Sequence, residues 1–161
     1  MLQYFFVSGQ DMNTKVPSNL FFNLKPVINL QTAQQLTQAA LNTARKLQID
    51  VVICIVDAQG NMVSYARMDN APVVSYAFAQ KKAFTAAALR RSSSEFSELI
   101  QPHQRLYGMQ HSDERLLGIG GGLPIFCQGQ LIGGIGVSGG SISQDVEIAQ
   151  SALFTCQLLT N

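Results

Sequence analysis

Charged residues are scarce in this chain. They make up 13% of its 161 residues, which is about half of the quarter that is typical of a soluble domain. A chain of this length forms one domain with a sizeable core, but so few charges cover an isolated globule poorly. We therefore expect a homo-oligomer that buries part of its apolar exterior.

The sequence also lacks an excess of either charge sign. Eleven basic and ten acidic residues give a net charge of +1, so no global field attracts nucleic acid or anionic lipid, and neither partner is expected. The charges are nevertheless uneven, because the stretch 70–94 contains no acid. That absence is typical of a solvated helix face or, alternatively, of a site for a ligand carboxylate or phosphate. The stretch holds four basic residues: Lys81, Lys82, Arg90 and Arg91.

Cysteines and long apolar runs are few as well. Cys54, Cys127 and Cys156 are odd in number, lie far apart and form no C-x-x-C motif, so we expect reduced thiols in the core. No apolar stretch reaches the roughly 18 residues that are needed to span a bilayer. A membrane-spanning protein is therefore not expected.

The first 28 residues show no sustained hydrophobic period. We interpret 1–28 as an N-terminal arm that lies on the domain or on a neighbour, and 29–161 as a single domain. The apolar run 4–7 is too short for a signal peptide, and no basic segment precedes it, so we expect a cytoplasmic protein. Met12 could equally be the natural start, and residues 1–11 would then be an upstream extension.

Hydrophobic spacing predicts two helices and a hairpin in the first half of the chain. Asn29 is a plausible N-cap, and apolar residues then recur at steps of three and four, which predicts an amphipathic helix over 29–48. A strand buried on both faces is expected over 51–56, paired with a second strand over 62–68. The stretch 72–89 is apolar nearly all round, so we expect a helix sandwiched between the sheet and something else.

The second half follows the same order of elements. A short helix is expected to start at Ser94, followed by an exposed loop over 102–115. A second hairpin pairs 123–127 with 131–137, and a capping box at Ser141 starts the last helix. Paired hairpins without βαβ crossovers predict an α/β (α+β) fold of profilin-like α/β/α layers, in which helices flank an antiparallel sheet of roughly five strands.

Glycine clusters suggest nucleotide-binding motifs but lack their context. The segment 134–139 matches G-x-G-x-x-G, yet no second parallel strand ending in an acidic residue follows, so dinucleotide binding is not expected. Gly134 and Gly136 instead leave one strand face bare for a helix, a neighbouring chain or a flat ligand. The cluster 118–122 is interpreted as a tight bend or, alternatively, as a flexible loop over a ligand.

Catalytic and metal signatures are weak. His103 and His111 lie eight residues apart without nearby cysteine, which is no zinc pattern, and surface histidines or haem ligands are both open. Serines are plentiful, but no nucleophile elbow is present. A desolvated Lys82 amine with Asp57 or Asp69 as a base is a further alternative. Whether the protein is an enzyme stays uncertain, and the residues favour a binding protein.

Several motifs from Ile55 onward occur together. In combination they resemble the GlcG/HbpS-type haem-binding family, whose domain is also the C-terminal part of PduO-type cobalamin adenosyltransferases. The resemblance covers roughly residues 29–160 and implies an antiparallel sheet between helices, an oligomer and a tetrapyrrole ligand. The matching motifs are Val56-Asp57 with Gly60, Arg67-Met68-Asp69 with Ala71, Lys82-Ala83-Phe84-Thr85-Ala86, Gly120-Gly121-Gly122-Leu123-Pro124, and the segment 134–140 with Asp145.

The resemblance also implies a ligand site. Secreted members of the family hold haem near the surface through a hydroxyl in a Pro-Thr-Ser-Glu-Leu segment. The corresponding segment here is 92–96, which places Ser93 at the threonine position as the implied haem iron ligand. A neutral hydroxyl is a weak iron ligand beside imidazole, so loose and exchangeable haem is expected. The site residues expected to bind the cofactor are Lys82, Arg90, Arg91, Ser93 and His111, with the arginines pairing with propionates and His111 as a second iron ligand.

These expectations define two functional hypotheses. The first is a cytoplasmic, homo-oligomeric small-ligand binding protein that takes up haem weakly, with a cobalamin-related tetrapyrrole as the alternative cofactor. The second is an accessory protein of cobalamin-dependent diol or glycerol metabolism, or of glycolate use. Such a protein would act by contact with a dehydratase or another metabolic enzyme, without catalysis of its own. The adenosyltransferase activity of PduO-type proteins lies in their other domain, so it is not expected here.

Overall fold

Within residues 25–157, which the computed structural model describes, the chain folds into one sheet with helices on both faces. Every helix and strand predicted within these residues is present, with bounds that differ by a few residues. In chain order the elements are α1 (Leu30–Lys46), β1 (Val52–Asp57), β2 (Met62–Arg67), α2 (Ser75–Leu89), α3 (Ser93–Leu99), a 3₁₀ turn (Met109–His111), β3 (Gly122–Cys127), β4 (Gln130–Ser138) and α4 (Ile142–Thr155).

The sheet has the strand order β2-β1-β4-β3, and every neighbouring pair is antiparallel. The α+β class and the layered architecture are confirmed. The expected number of about five strands is one too high for the described residues, because the two hairpins supply four strands and no further segment pairs with them. The two central strands, β1 and β4, lie side by side although they belong to different hairpins.

The predicted helix starts are confirmed by their capping hydrogen bonds. Asn29 caps α1, since its side-chain oxygen accepts from Thr32 N at 2.8 Å. Ser141 and Gln144 form the expected capping box of α4. A second capping box, made by Ser92 with Glu95, starts α3 one residue earlier than predicted.

Helices α1 and α4 pack on one face of the sheet, and α2 packs on the other. All six residues of 51–56 are buried, and they alternate between the two cores, as expected for a strand covered on both sides. Ile28, the last residue of the predicted arm, is also buried, and its N–H donates to Ile132 O at 2.9 Å. Residues 1–24 lie outside the described residues, so the arm stays a prediction. None of the described helices has the length and apolarity that crossing a membrane requires.

Two glycines of β4 let α2 lie close to the sheet. A Cβ atom at Gly136 would lie 2.6 Å from Ala83 N, and one at Gly134 would lie 3.1 Å from Ala87 N. The helix faces these glycines with Ala79, Ala83 and Ala87, all of which are buried. Of the three occupants expected for the bare strand face, a helix is the one found. In the folded chain the glycine motif therefore serves helix packing.

A buried ion pair joins α2 to the start of α4. Lys82 Nζ lies 2.7 Å from Asp145 Oδ2 and donates to Val137 O at 2.9 Å, and both charged side chains are almost fully buried. Asp145 Oδ1 accepts from Gly140 N at 3.0 Å. Burial lowers the pKa of Lys82 and raises the pKa of Asp145, while the mutual contact opposes both shifts. The pair therefore depends on its own hydrogen bonds to stay charged away from water.

The position of Lys82 corrects the expected cofactor contact. Lys82 was expected beside the arginines on a cationic surface, but only 1% of the residue is exposed. One reason is its place on the same helix: Lys82 follows Ala79 by three residues and precedes Ala86 by four, and because both alanines are buried it shares the buried side of α2. A ligand on the surface cannot touch it without displacing Asp145.

The glycine cluster before β3 packs against this ion pair. Gly121 has a φ of +115°, and a Cβ atom there would lie 3.0 Å from Lys82 Nζ and 2.9 Å from Asp145 Cβ. Gly120, Gly121 and Gly122 are all buried. The tight-bend interpretation of 118–122 is therefore the correct one for these residues, since a loop that covers a ligand would be exposed.

The ion pair predicts a strongly non-additive mutant cycle. Lys82→Met leaves the Asp145 carboxylate buried without its partner, and Asp145→Leu does the same to the ammonium, so each should lower the free energy of unfolding by about 3–5 kcal/mol. The double variant K82M/D145L removes both charges and should recover most of that loss. Urea denaturation of the four proteins measures this. Additive losses in the double variant would contradict a coupled buried pair.

Candidate functional site

The two arginines expected in the site lie where α2 ends. Arg90 is the C-cap of α2 and adopts a left-handed conformation with a φ of +54°. This conformation turns the chain directly from α2 towards α3, whose N-cap is Ser92. Arg90 is exposed and Arg91 is half-buried. The sharp turn therefore places two consecutive arginines next to strand β3, where both line a surface hollow.

A hollow of about 460 Å³ opens at this turn, and we refer to it as the arginine hollow. It has one polar wall, from the turn and the start of α3, and one apolar wall, from β3 and α4. A second hollow of about 410 Å³ adjoins it and shares Arg90 and Phe126. The arginine hollow is lined by Arg90, Arg91, Ser92, Ser94, Glu95, Leu123, Pro124, Phe126, Val146 and Gln150.

The polar wall carries a net positive charge. Within residues 25–157, neither Arg90 nor Arg91 forms an ion pair, and Arg91 makes one long hydrogen bond, from Nε to Leu89 O at 3.5 Å. The acid of this wall, Glu95, accepts from Ser92 N at 2.8 Å and from Ser92 Oγ at 3.0 Å. The carboxylate is therefore occupied by the capping box, and the guanidinium groups are available to an anion.

Ser93, the expected iron ligand, faces inward. The residue is 0% exposed, and its Oγ accepts from Gly122 N at 2.8 Å. This hydroxyl holds the start of α3 against the first residue of β3, so it is not free to bind iron in this conformation. Ser92 and Ser94 line the arginine hollow instead. The expectation for Ser93 is corrected because three consecutive serines give no sequence signal for which one faces outward.

The other predicted iron ligand is separate from the hollow. His111 is exposed in the 3₁₀ turn, its Nε2 lies 3.3 Å from Gln110 Nε2, and it is not among the residues that line the arginine hollow. Of the five expected site residues, the structure brings together Arg90 and Arg91 at the hollow. It places Ser93 behind the wall, Lys82 in the interior and His111 elsewhere on the surface.

The apolar wall was not predicted from the sequence. Val146, in the second turn of α4, is half-buried and lines the hollow. The buried side of α4 consists of Asp145, Ile148, Ala149, Ala152 and Leu153. In the sequence, Phe126 and Pro124 have no feature that distinguishes them from other strand residues. Because these three side chains meet only after β3 and α4 pack together, no local pattern could have identified the wall.

Metal ligation finds little support elsewhere in the described part of the chain. No group of three His, Cys, Asp or Glu side chains within it could hold a metal ion. All three cysteines are free, but the expected core position is correct only for Cys54, since Cys127 is exposed and Cys156 is half-buried. Burial raises the pKa of the Cys54 thiol to about 12, so it stays protonated at neutral pH.

The chain is similar to proteins of several names. It is 42% identical over 127 residues to the corrinoid adenosyltransferase PduO of Salmonella typhimurium, which covers 78% of this chain and 38% of that protein. The chain thus spans about two-fifths of that relative. It is 32% identical over 115 residues to the protein GlcG of Escherichia coli K12, which covers 71% of this chain and 83% of that protein.

A solved structure described as a PduOC:heme complex superposes with a TM-score of 0.77 at 42% identity and covers 80% of this chain and 94% of that one. A family model described as "Haem degrading protein HbpS-like" matches residues 28–153. These matches span the sheet, α1, α2 and the arginine hollow. The chain therefore belongs to the HbpS-like family.

Proposed function

We propose that this protein binds haem or a related tetrapyrrole weakly in the arginine hollow. The observation that carries the proposal is one surface hollow that combines an apolar wall with two arginines, neither of which forms an ion pair with a described residue. A porphyrin needs such a pairing, because it joins two carboxylates to a flat hydrophobic ring. The similar PduOC chain, whose crystal structure is described as a heme complex, gives further support.

Each wall has a separate task in this proposal. Arg90 and Arg91 bind the propionates, since a guanidinium can donate two parallel hydrogen bonds to a carboxylate. Leu123, Pro124 and Phe126 contact the ring and remove apolar area from water at about 25 cal/mol per Å². The hollow is open, so both contributions are partly lost to solvent and the affinity is modest.

The residues present fit the porphyrin edge better than its iron. Haem supplies an iron centre that imidazole or thiolate side chains usually hold, and no histidine or cysteine lines the arginine hollow. Ser92 and Ser94 line it, and the Ser92 hydroxyl is bound to Glu95, so we transfer the proposed hydroxyl contact from Ser93 to Ser94. Weak ligation of this kind supports loose, exchangeable binding in a cytoplasmic protein.

The arginine pair provides the sharpest test. We expect R90Q/R91Q to bind haemin at least about tenfold more weakly than the unchanged protein, because two charge-assisted contacts disappear. Titration followed at the Soret band measures the affinity. The matched control is R45Q/K46Q, which removes the same charge from two exposed neighbours at the end of α1.

Two results would contradict the proposal. One is an R90Q/R91Q variant that binds haemin as tightly as its control. The other is a Soret spectrum no different from that of haemin with an inert protein. Cobalamin serves as a further arm of the titration: it carries amides where haem has free carboxylates, so excess cobalamin should not displace haemin if the arginines select the ligand.

A homo-oligomer is the second element of the proposal. Three large apolar residues at the start of α2 are exposed, namely Val73, Val74 and Tyr76, with 86%, 54% and 55% of their surfaces accessible. Association through such a patch removes it from water. Light scattering at micromolar concentration should therefore give a mass above that of one chain, and V73S/V74S should lower it. A measured mass equal to that of one chain for the unchanged protein would contradict this prediction.

As an alternative to self-association, the same patch supports a second candidate function, that of an accessory protein acting by contact with a metabolic enzyme. If the chain contacts a cobalamin-dependent diol dehydratase, purified dehydratase should bind the immobilised protein, and V73S/V74S should weaken that binding at least about tenfold. R90Q/R91Q serves as the control, because it leaves the patch intact. Equal binding of all three proteins would exclude the patch as the contact.

A further inference from the structure

A slot lies on the sheet face that α2 covers, away from the arginine hollow. Helix α2 packs over β1, β3 and β4 and leaves the edge strand β2 largely uncovered on this face of the sheet. Register pairs Cys54 with Tyr65 and Val56 with Met62, so these β2 residues face the same side as α2. The uncovered margin between α2 and β2 forms a slot of about 260 Å³.

The interior of the slot is mostly apolar. Val56, Met62, Ala77 and Phe84 form its walls, and the protonated thiol of Cys54 lies at its floor. Met62, one of these walls, is 51% exposed. The slot therefore offers a compact ligand body an apolar surface that the chain itself leaves uncovered.

Two cations stand at its rim. Arg115 lies over the Phe84 ring, with 4.0 Å between the guanidinium carbon and the ring centroid. Its Nη2 donates to Asp113 Oδ2 at 2.6 Å, so its charge is largely neutralised by that carboxylate. Lys81 also lines the slot and forms no ion pair with any described residue. The rim therefore carries a net charge close to +1.

We propose that this slot binds a small monocarboxylate with a compact apolar or aromatic body. The single uncompensated charge of Lys81 matches one carboxylate, and the stacked Arg115 holds Phe84 in place as a wall. The volume of the slot admits a body of roughly one aromatic ring. Glu114 follows Asp113 in the chain but is not among the residues that line the slot.

Benzoate is a suitable probe, and benzamide is its uncharged counterpart of the same shape. We expect benzoate to bind saturably and more tightly than benzamide, as measured by calorimetry and by NMR shifts of α2 and β2 amides. Lys81→Gln should weaken benzoate about tenfold while leaving benzamide unchanged, since one charged contact is lost. Lys46→Gln is the matched control, because it removes an exposed lysine from a different helix.

Ala77→Trp tests the slot without changing charge. Ala77 is exposed on α2, so a larger side chain can fill the slot without entering the core, and it should abolish binding of both probes. R90Q/R91Q should bind benzoate normally, which separates this proposal from the haem site. Three results would each overturn the proposal: benzoate that binds no better than benzamide, a K81Q variant with unchanged affinity for benzoate, or an A77W variant that still binds both probes.

Discussion

The close approach of α2 to β4 is the contact on which the rest of the molecule depends. Gly134 and Gly136 remove side chains from the strand, and Ala79, Ala83 and Ala87 remove bulk from the helix. A larger residue at either glycine would push the helix away from the sheet, because its Cβ atom would overlap backbone atoms of α2. The close contact therefore fixes the distance of α2 from the sheet.

That placement explains both surface sites. The buried Lys82–Asp145 pair ties the middle of α2 to the first turn of α4, which brings Val146 to the wall of the arginine hollow. The end of the helix presents Arg90 and Arg91 at the hollow. The lateral offset of the same helix leaves β2 bare and opens the slot beside Lys81. One packing contact thus positions two sets of cations on different surfaces.

The sequence predicted the elements well because their signals are local. The cap at Asn29, the capping box at Ser141 and the all-buried strand at 51–56 depend on neighbours within a few residues. The paired glycines correctly indicated a close approach, although the approaching partner stayed open. The family was recognised from motifs that include Lys82 and the glycines, yet several of those residues build the core rather than the ligand surface.

The site was predicted only in part because its remaining features are non-local. Lys82 reads as a surface lysine until Asp145, 63 residues later, is placed beside it. Ser93 and Ser94 are identical in type, and only Ser93 accepts from Gly122. Which serine faces inward depends on the residue at which α3 begins. The apolar wall combines residues of β3 and α4, and no pattern within either segment predicts it.

A crystal structure of the protein soaked with haemin tests the central claim most directly. The account predicts porphyrin density in the arginine hollow, with propionate oxygens within hydrogen-bonding distance of Arg90 and Arg91 and the ring against Phe126. Haem bound at a surface that excludes both arginines, or crystals that take up none, would contradict it.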